Sequence, residues 1–544
     1  MKPKTKKKVR RRHHGRRVDR ARVSFSLLMP VNTSMQTRMK LLDRAFRRLT
    51  VRPHRQWLST TTTTTTSSSP KEHGPTSLVV ALSGGVDSSV AAALLHRQYG
   101  DAVTAIHMSN WNVVAHDDDS VPQCSSEQDW KDACQVAQHL DLLVERRRFE
   151  AEYWNHVFEP YLEDLLATSK MGNPDVSCNR FVKFGALKDY IQKRHGPDCW
   201  LATGHYARLW HRCASTFTTV PPPEHVQEAL DQDTVLADWI RRWGLPAETS
   251  DATSHTHALL LAAADKSKDQ SYFLASCEAE SLRNVIFPLG DYHKKRDPQN
   301  KPTVRDLAAS LELPTAHKRD SMGICFVGKR ATGFRHFLSD YLPTPTVQLN
   351  FVDVDSGTVV ATSAEPEHAA LYTVGQGAKL SGTPQRYFVV AAEPATATVW
   401  VCAGTHHAAL YADSLQLSTV HWMASNQEMP RPLQERGEMR VQCRIRHLQP
   451  LMDCTLIVHG KSDKDGTFIT VLFDKPVRGI APGQTAVFYV GNDGLFCLGS
   501  GPIQSRGPTY HERGWALPTA EHLAASGSND LSVLRQTMTA SGGE

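Results

Sequence analysis

The residues best suited to chemistry form a loop, Ser83-Gly84-Gly85-Val86-Asp87, which two further serines follow. The apolar run 78–82 before it predicts a buried parallel strand, and helical spacing after it continues to Gly100. A strand, a glycine turn and a helix together present backbone N–H groups and the positive helix end to an anion. Two glycines let the backbone approach a phosphate without a Cβ in the way. The loop lacks the Gly-Lys-Ser/Thr ending that handles γ-phosphates, which disfavours kinase and GTPase chemistry.

The 11 cysteines are the second group of candidates. They include no Cys-x-x-Cys pair, so their spacing predicts neither a zinc ribbon nor a dense secreted disulfide framework. This favours a reducing compartment, in which most of the cysteines would be small buried hydrophobes. Two of them, Cys178 in NPDVSCNRFVKF and Cys325 in RDSMGICFVG, stand near basic residues that favour a reactive thiolate. These basic residues are Arg180 and Lys183 for the first, and Lys318 and Arg319 for the second.

The loop from Ser83 to Ser89 resembles the pyrophosphate loop of the PP-loop ATP pyrophosphatases, which cleave ATP between its α and β phosphates. That loop occurs in GMP, NAD and asparagine synthetases and in tRNA-modifying enzymes, so the other motifs must choose among them. Six motifs resemble the tRNA-specific 2-thiouridylases, in the order NPDVSCNRFVKF, TGHYARL, KDQSYFL, RDSMGICFVG, YTVGQG and APGQTAVFY. The likeness covers about residues 77–505, and the N-terminal segment points to the mitochondrial member of the family.

The resemblance implies that ATP is bound at the phosphate loop and that Mg²⁺ assists, with Asp87 as a candidate metal ligand. Met108 and Gly204 would line the adenine pocket. The complete set of implied nucleotide-binding residues is Ala81, Leu82, Ser83, Gly84, Gly85, Val86, Asp87, Ser88, Met108 and Gly204.

Exchanging a base oxygen for sulfur requires that the oxygen become a leaving group and that a sulfur donor be present. Adenylation supplies the first, and a cysteine persulfide, which needs a reductant or a second thiol to release its sulfur, supplies the second. The resemblance implies that Cys325 carries the persulfide, that Cys178 is its partner, and that the two end as a disulfide. Asp175 is a candidate general acid–base near N3 and O2 of the uridine. An alternative is that Asp175, Cys178 and Cys325 hold an iron–sulfur cluster.

The resemblance also implies contacts with tRNA, the substrate being wobble-uridine tRNAs for Lys, Glu and Gln. The implied residues are Asn173, Pro174 and Asp175 at the target base, and His205, Lys268, Asp269, Gln270, Arg446, His447 and Gln484 elsewhere. Two motifs depart from the family pattern: the chain reads Gly-Gln-Gly-Ala-Lys at 375–379 in place of Gly-Gln-Arg-Lys-Gly, and Arg-His in place of Arg-Tyr at 446–447. A cysteine desulfurase or a sulfur-relay protein would load the persulfide.

Alternating apolar runs and helical segments over 77–275 predict an α/β fold with an open parallel sheet flanked by helices. The resemblance adds boundaries: an adenine nucleotide alpha hydrolase-like ATP-pyrophosphatase domain at 77–280, a small central domain with Cys325 at 281–365, and a C-terminal tRNA-binding β-barrel at 366–507. Strand-like runs such as TVWVCAG and TFITVLF support the barrel. The insertion 210–257 is predicted to be a surface loop and 508–544 a disordered tail.

The charge of the chain is divided unevenly. Of the 62 Lys and Arg residues, 19 lie in residues 1–57 against two acidic residues, so the rest of the chain is acidic. An Arg-rich, acid-poor, amphipathic segment predicts a mitochondrial presequence at 1–57, with a nuclear or RNA-binding basic tail as the competing interpretation. Residues 58–76 are predicted to be a low-complexity linker. No apolar run is long enough to predict a transmembrane helix, and no membrane partner is expected.

Two other functions stay open at this point. The first is an ATP-pyrophosphatase synthetase that adenylates a small carboxylate or purine, which would need a glutaminase or an ammonia channel. The second is a catalytically inactive tRNA-binding protein, against which the complete loop and both cysteines argue.

Overall fold

The computed structural model describes most of the chain from residue 75 onward. The described residues are 75, 77–111, 125–213, 222–243, 256–320, 337–338, 340–424, 427–459 and 468–518. The predicted presequence 1–57, nearly all of the linker 58–76 and Cys325 therefore lie outside the described residues.

The N-terminal half is built on a parallel sheet, as the sequence predicts. The strands of this sheet are β1 (Leu78–Ala81), β2 (Val103–Ser109), β3 (Val144–Arg148), β4 (Trp200–Ala202) and β7 (Val285–Ile286). Between β4 and β7, the strands β5 (Arg208–Cys213) and β6 (Thr256–Leu261) form a separate hairpin. The parallel sheet has the order β3-β2-β1-β4-β7, with β1 at its centre. Leu78, Val79 and Val80 in β1 are almost completely buried, as expected for a central strand covered on both faces.

Helices flank this sheet and precede the later strands. They are α1 (Val86–Tyr99), α2 (Ser125–His139), α3 (Glu150–Tyr153), α4 (Glu159–Thr168), α5 (Pro174–Ser177), α6 (Leu187–His195), α7 (Glu224–Gln232), α8 (Thr234–Ile240), α9 (Ser271–Leu274), α10 (Val304–Ser310) and α11 (Arg431–Arg436). Two π-helical segments, Trp154–Phe158 and Cys178–Ala186, continue α3 into α4 and α5 into α6. The helix α1 ends at Gly100, whose positive φ of 56° allows its N–H to bond the carbonyl of His96.

The parallel sheet extends past residue 280, the boundary that the sequence analysis sets for the catalytic domain. Strand β7 pairs with β4 at the edge of the sheet. The following helix α10, which begins at a capping box of Thr303 and Asp306, packs against α1. The segment after α10 is tied to α1 as well, since the hydroxyl of Thr315 donates to that of Ser89 at 2.9 Å.

The insertion 210–257 is more than the predicted surface loop. Its ends form the antiparallel hairpin of β5 and β6, and β6 pairs with the C-terminal barrel. Between them lie α7 and α8, which bury Val226, Leu230 and Ile240. The Nε1 of Trp243 donates to the carbonyl of Glu428 at 3.0 Å, so the insertion is packed against the C-terminal half.

Along the chain, a small mixed sheet lies between the two halves. Its strands are β8 (Asn350–Asp353), β9 (Val359–Thr362), β10 (Tyr387–Glu393) and β11 (Thr398–Ala403), in the order β10-β11-β8-β9. The run TVWVCAG, which the sequence analysis counts as a barrel strand, forms β11 of this sheet. The small sheet also spans the predicted boundary at 365/366, because β8 pairs with β11 in parallel.

The C-terminal half is a closed barrel. Its region holds β12 (Tyr411–Leu417), β13 (His421–Trp422), β14 (Glu438–Arg444), β15 (Met452–His459), β16 (Phe468–Arg478), β17 (Thr485–Val490) and β18 (Phe496–Arg506). Six of these close in the order β12-β16-β15-β14-β17-β18, and β18 pairs back with β12. Leu415, Leu456, Val471 and Phe488 are buried in it. No described helix combines the length and apolar character needed to cross a bilayer.

Residues 508–518 are ordered, which corrects the predicted disordered tail over its first part. Thr509 forms a bridge to Ala412 of the barrel, and Arg513 forms an ion pair with Asp413 at 2.7 Å. Glu512 accepts two hydrogen bonds from the guanidinium of Arg506, each 2.7 Å long. The chain thus continues to pack on the barrel beyond β18, and residues 519–544 lie outside the described part.

Replacing Glu512 with Gln is expected to lower the melting temperature at pH 7 by about 2 °C, because the bidentate ion pair is lost. The hydrogen bonds from Arg506 are the main reason that the pKa of Glu512 falls from 4.5 to about 2. Since the pKa is lower in the folded state, the pair stabilises the fold above pH 4.5 and loses this effect as the pH falls toward 2.

Differential scanning calorimetry of wild type and Glu512→Gln between pH 2 and pH 7 tests this prediction. The difference in melting temperature between the two proteins should shrink toward zero as the pH falls from 4.5 to about 2. Glu435→Gln, which removes an exposed pair with Arg431, is the control and should change little at any pH. A difference for Glu512→Gln that is independent of pH would contradict the prediction.

Candidate nucleotide and sulfur-transfer site

The phosphate loop lies where the order of the parallel sheet reverses. Strand β1 has β2 on one side and β4 on the other, so the chain leaves β1 at a topological switch point. Ligands of open α/β sheets bind in the crevice at the carboxyl ends of the strands at such a point. The loops that follow β1 and β4, with Gly84 and Gly204, border this crevice.

The backbone of the loop has room only for glycine at position 84. Gly84 has a φ of +78°, and a Cβ there would lie 2.2 Å from the carbonyl oxygen of Asp129. Gly85 precedes α1, and no described side chain caps the helix by accepting from its first N–H groups. The hydroxyl of Ser88 instead donates to the Gly85 carbonyl at 3.1 Å. The start of α1 therefore offers N–H groups and a positive dipole end to an anion.

The residues predicted for the adenine side meet at the same place. A Cβ on Gly204 would lie 2.8 Å from the backbone nitrogen of Ser88, so the loop after β4 lies directly on the start of α1. Met108, the residue before the last in β2, is half-buried. Leu82 and Val86 are buried in the core, so a ligand can meet only their backbone. Ala81 ends β1, and Ser83 is exposed.

Asp87 has two partners that the sequence analysis missed. Its Oδ1 accepts from the hydroxyl of Tyr206 at 2.8 Å and from the ammonium of Lys294. Burial, and then the neighbouring Asp87, raise the pKa of Tyr206, so its hydroxyl stays protonated and donates. Lys294 is 2% exposed and its ammonium also lies 3.3 Å from Asp320. A lysine beside a basic run carries no sequence signal for such a buried role.

Asp87 is a suitable oxygen ligand for Mg²⁺, although it is a single carboxylate. Within the described ranges, no group of three or more His, Cys, Asp or Glu residues could hold a metal ion. Mg²⁺ in nucleotide sites is commonly bound by one or two carboxylates together with phosphate oxygens. Asp87 beside an anion-binding loop fits that arrangement once the hydrogen bond from Lys294 to its carboxylate is broken.

Asp320, the last described residue before the segment of Cys325, joins several cations. It accepts from Arg305 at 2.6 Å and from Lys268 at 3.2 Å, in addition to Lys294. Burial alone would raise the pKa of Asp320, but Lys294 and Lys268 outweigh it and lower the pKa to about 2. Asp320 is therefore ionised at neutral pH and ties the start of this segment to the phosphate loop.

Lys318 does not stand unpaired beside the Cys325 segment. Its ammonium donates to the carbonyl of Gly84 at 2.9 Å and forms ion pairs with Asp129 and Asp132 on α2. Two carboxylates thus neutralise the cation that the sequence analysis assigns to the thiolate of Cys325. The position of Cys325 lies outside the described residues, so its activation stays a prediction.

The segment with Asn173, Pro174 and Asp175 begins a helix. The side chain of Asn173 accepts from the backbone N–H of Asp175 at 3.0 Å, and Pro174 occupies the first turn, as at an N-terminal cap. Asp175 is half-buried. Its backbone carbonyl accepts from Asn179 at 2.9 Å, which fixes this turn further.

Cys178 lies at the start of the π-helical segment and is 1% exposed. Helices with π geometry are frequent at functional sites. Asn110, which directly follows β2, places its Nδ2 at 3.9 Å from the sulfur of Cys178. The Oδ1 of Asn110 is buried and has no hydrogen-bond partner among the described residues. Cys178 thus lies at the carboxyl edge of the parallel sheet that also holds the phosphate loop.

Both ends of the Cys325 segment lie at this edge. The segment leaves Asp320, which Lys294 joins to Asp87. The chain is described again at Phe337, whose ring lies 5.8 Å from that of Trp111, the residue after Asn110. The predicted disulfide and the predicted iron–sulfur cluster, which both require Cys325, are not tested by the described residues.

Three of the predicted tRNA contacts are buried, namely Pro174, His205 and Asp269. His205 is 9% exposed and lies between the rings of Phe184 and Phe287, and burial lowers its pKa well below the ordinary value. Asp269 has no exposed surface and pairs with Arg444 of the barrel at 2.7 Å. In this conformation neither Asp269 nor Arg444 can contact RNA directly. The ion pair instead joins the catalytic half to the barrel.

The substitution Arg444→Ala is expected to destabilise the protein by about 3–5 kcal/mol, because the carboxylate of Asp269 stays buried without its cation. Arg440→Ala removes a pair with Asp474 from an arginine whose side chain is 55% exposed, and about 1 kcal/mol or less is expected. Urea unfolding of both variants tests the difference. Similar losses would contradict the role of the buried pair.

Gln270 and Lys268 are partly exposed beside Asp269. The N–H of Gln270 donates to the Tyr206 carbonyl at 2.8 Å, and its side-chain oxygen accepts from the N–H of Tyr206 at 2.9 Å. His447 is bonded to the carbonyl of Asp269 at 3.0 Å and lies against Phe273. The segment 268–270 is therefore held between the nucleotide side and the barrel.

The last two predicted tRNA contacts hold loops in place. The amide of Gln484 donates to the carbonyl of Met171, just before the Asn173 turn. The guanidinium of Arg446 donates to the carbonyls of Val374 and Gly479, at 2.8 and 2.7 Å. These contacts bring the barrel next to the predicted base-binding turn and to the altered 375–379 loop.

Comparison with known proteins agrees with this architecture. Residues 76–329 match the family described as the tRNA methyl transferase HUP domain, and residues 412–503 match the aminomethyltransferase beta-barrel domain. The second match agrees with the observed barrel, which begins at Tyr411.

Relatives that match this chain over most of their own length share the name tRNA-specific 2-thiouridylase. The mitochondrial tRNA-specific 2-thiouridylase 1 of Mus musculus is 37% identical over 80% of this chain and 92% of the mouse protein. The tRNA-specific 2-thiouridylase MnmA of Lactiplantibacillus plantarum is 35% identical over 80% of this chain and 96% of that protein. Among solved structures, the U34-tRNA thiolase NcsA of Methanococcus maripaludis covers 46% of this chain and 60% of its own, at 17% identity and a TM-score of 0.22, which is too low to support an inference. Because relatives above 30% identity are matched over nine tenths of their length, this chain belongs to the family of tRNA-specific 2-thiouridylases.

Proposed function

We propose that this protein replaces O2 of the wobble uridine of tRNA with sulfur, using ATP and a cysteine persulfide. It is a tRNA-modifying enzyme of a sulfur-transferring family. The observation that carries the mechanism is the convergence of three parts on one edge of the parallel sheet. These parts are the phosphate loop, the turn that leads to Cys178, and both ends of the segment that holds Cys325.

The first step activates the uridine. Its O2 attacks the α-phosphorus of ATP, and pyrophosphate leaves. The N–H groups at the start of α1 and the positive end of the helix dipole would stabilise the charge that develops on the leaving group. Asp87 would hold Mg²⁺, which would neutralise phosphate charge when bound. Lys294, next to Asp87, adds a positive charge on the same side.

The second step transfers sulfur. The terminal sulfur of a persulfide on Cys325 attacks C2 of the adenylated uridine, and AMP leaves. The thiolate of Cys178 then attacks the sulfur of Cys325, which forms a disulfide and releases the 2-thiouridine. A thiol reductant must regenerate both cysteines before the next turnover. The low exposure of Cys178 would keep its thiolate away from solvent thiols.

Asp175 would move the proton of the uridine. Attack by O2 is easier when the N3 proton is removed, and a half-buried carboxylate beside the base can accept it and later return it. The Asn173 cap fixes the backbone of Asp175 and thereby the origin of its side chain. Asn173 and Pro174 would contact the same base.

The barrel would hold the tRNA. Outside the base-binding turn, the partly exposed candidates are Lys268, Gln270, Arg446, His447 and Gln484. Gln484 and His447 lie where the barrel meets the catalytic half. Lys379 is exposed and has a positive φ of 56°, so it is the basic residue that the altered loop offers in place of the family's Arg-Lys. Wobble-uridine tRNAs for Lys, Glu and Gln are the proposed substrates.

The reaction can be tested with tRNA, ATP, Mg²⁺ and a persulfide donor. We expect 2-thiouridine at the wobble position together with AMP and pyrophosphate, in equal amounts. Release of ADP and phosphate would contradict the proposed activation. Adenylation of a small carboxylate or purine would point to a synthetase, and tRNA binding without nucleotide products would point to an inactive binding protein.

The proposed site of action is the mitochondrion, and the proposed sulfur source is a cysteine desulfurase or a relay protein. Relatives with the mitochondrial name and the Arg-rich segment 1–57 support the location. Import of the full chain into isolated mitochondria should shorten its N-terminus. Accumulation in the nucleus, with the N-terminus intact, would contradict the presequence.

A further inference from the structure

The carboxylate of Asp87 is held by a buried cation. Lys294 is 2% exposed, and its backbone N–H donates to Asp265 at 2.9 Å, which positions the residue. A buried ammonium requires anionic or hydrogen-bonding partners. Lys294 has two carboxylate partners, Asp87 and, at 3.3 Å, Asp320. The same cation therefore lies between the phosphate loop and the residue that precedes the Cys325 segment.

Asp320 is shared among several cations. Besides Lys294, it accepts from Arg305 at 2.6 Å and from Lys268 at 3.2 Å. Three cations thus surround the two carboxylates Asp87 and Asp320. Lys268 and Arg305 already form ion pairs with Asp320, and Lys294 lies closer to Asp87 than to Asp320. Removing one competing cation from Asp320 would shift the balance of Lys294 toward Asp320.

The competing cation that can leave is Lys268. Its side chain is 36% exposed, whereas that of Lys294 is 2% exposed. Lys268 directly precedes Asp269, which the buried pair with Arg444 anchors to the barrel. A phosphate group that approaches from solvent can therefore bind the ammonium of Lys268 without moving the anchored neighbour.

A second connection runs from the same segment to Asp87. Gln270 exchanges two hydrogen bonds with the backbone of Tyr206, of 2.8 and 2.9 Å. The hydroxyl of Tyr206 donates to Asp87 at 2.8 Å. Residues 268–270 thus reach both partners of Asp87: Lys268 reaches Lys294 through Asp320, and Gln270 reaches Tyr206 directly.

We propose that Lys294 is a positioning residue that couples RNA binding at Lys268 to the state of Asp87. When an RNA phosphate withdraws Lys268 from Asp320, Lys294 moves toward Asp320 and releases Asp87. The released carboxylate is then available to the metal–phosphate group of ATP, so nucleotide binding tightens when tRNA is bound. This inference rests on the proposed function, since it takes tRNA and ATP as the two ligands.

Binding of a non-hydrolysable α,β-methylene ATP analogue with Mg²⁺, measured by calorimetry with and without tRNA, tests the coupling. For the wild-type full chain, we expect tRNA to tighten the affinity for the analogue by about tenfold, within the usual range of coupling between two sites. In Lys268→Ala, Asp320 has lost that cation already. The affinity without tRNA should therefore approach the tRNA-bound wild-type value, and the coupling should fall below about twofold.

Three further variants sharpen the test. Lys268→Arg keeps the charge and should keep most of the coupling. Asp320→Asn removes the alternative partner of Lys294, so Lys294 should stay on Asp87. The affinity for the ATP analogue should therefore stay low with and without tRNA. Lys295→Ala changes an exposed neighbour outside the network and should behave as wild type. Unchanged coupling in both Lys268→Ala and Asp320→Asn would overturn the inference.

The thiolation assay separates this inference from the proposed function. If the wild type thiolates tRNA but the variants show unchanged coupling, only the role of Lys294 fails. If the wild type neither binds the analogue nor thiolates tRNA, the proposed function fails and the coupling fails with it.

Discussion

The substitution Cys325→Ser is expected to lower the rate of tRNA thiolation by at least about 10³-fold, the scale seen when a nucleophile is removed. A serine hydroxyl cannot carry the sulfane sulfur, so the second step has no donor. The affinity for ATP should stay within about twofold of wild type, because the loop from Ser83 to Ser88 is intact. The measurement is the 2-thiouridine content of the tRNA, with mass spectrometry of the protein to detect the persulfide.

The partner cysteine should respond differently to reductant. Cys178→Ser keeps the persulfide carrier but lacks the thiol that releases the sulfur, so added dithiothreitol should restore part of its thiolation. Dithiothreitol should restore nothing in Cys325→Ser. Cys134→Ser, at a half-buried position on α2, is the matched control and should retain activity. Thiolation at the wild-type rate in Cys325→Ser would remove this cysteine from the mechanism.

The substitution Gly84→Ala should abolish measurable ATP binding, with a loss of affinity of at least about a hundredfold. The new Cβ would lie 2.2 Å from the carbonyl oxygen of Asp129, a backbone atom on the adjoining helix α2. The φ of +78° adds strain of about 1–2 kcal/mol for any residue with a Cβ. Because the loop must move to relieve the clash, its N–H groups no longer converge on the phosphates.

Gly100→Ala is the control variant, because it introduces backbone strain without a steric clash. Gly100 ends the same helix α1 with a φ of +56°, and no described atom lies within 4 Å of a Cβ placed there. The control should therefore lose about 1–2 kcal/mol of stability through backbone strain and keep its affinity for ATP. Calorimetric titration with ATP and urea unfolding of both variants provide the comparison. Equal ATP affinities in the two variants would contradict the role of the Gly84 turn.

Local residue patterns in the sequence largely predicted the fold of the catalytic half. The buried run 78–82, the glycine turn and the spacing of Val90, Ala91, Leu94 and Leu95 predict β1, the loop and α1, and all three are confirmed. Such a unit depends on residues close in sequence, so its pattern is local. Its neighbours in the sheet are distant, as with β7, which the predicted boundary at 280 excluded.

The C-terminal half was harder to divide. The strands of the small sheet and of the barrel have the same alternation, so TVWVCAG could be assigned to either. Pairing decides between them, because β11 lies beside β8 and β10 while the barrel begins at Tyr411. The insertion shows the same limit, since its packing comes from contacts such as that of Trp243 with Glu428.

The amino-acid sequence by itself determined the phosphate loop, the two cysteine motifs and the family, because each is a short run whose chemistry depends on neighbouring residues. The tertiary structure alone decided the partners of Asp87, namely Tyr206 and Lys294, which lie 119 and 207 positions away. It also decided that Asp269 is buried against Arg444, across 175 positions. The physical reason is that desolvation and ion pairing depend on which distant residues share a volume, and no spacing along the chain encodes that.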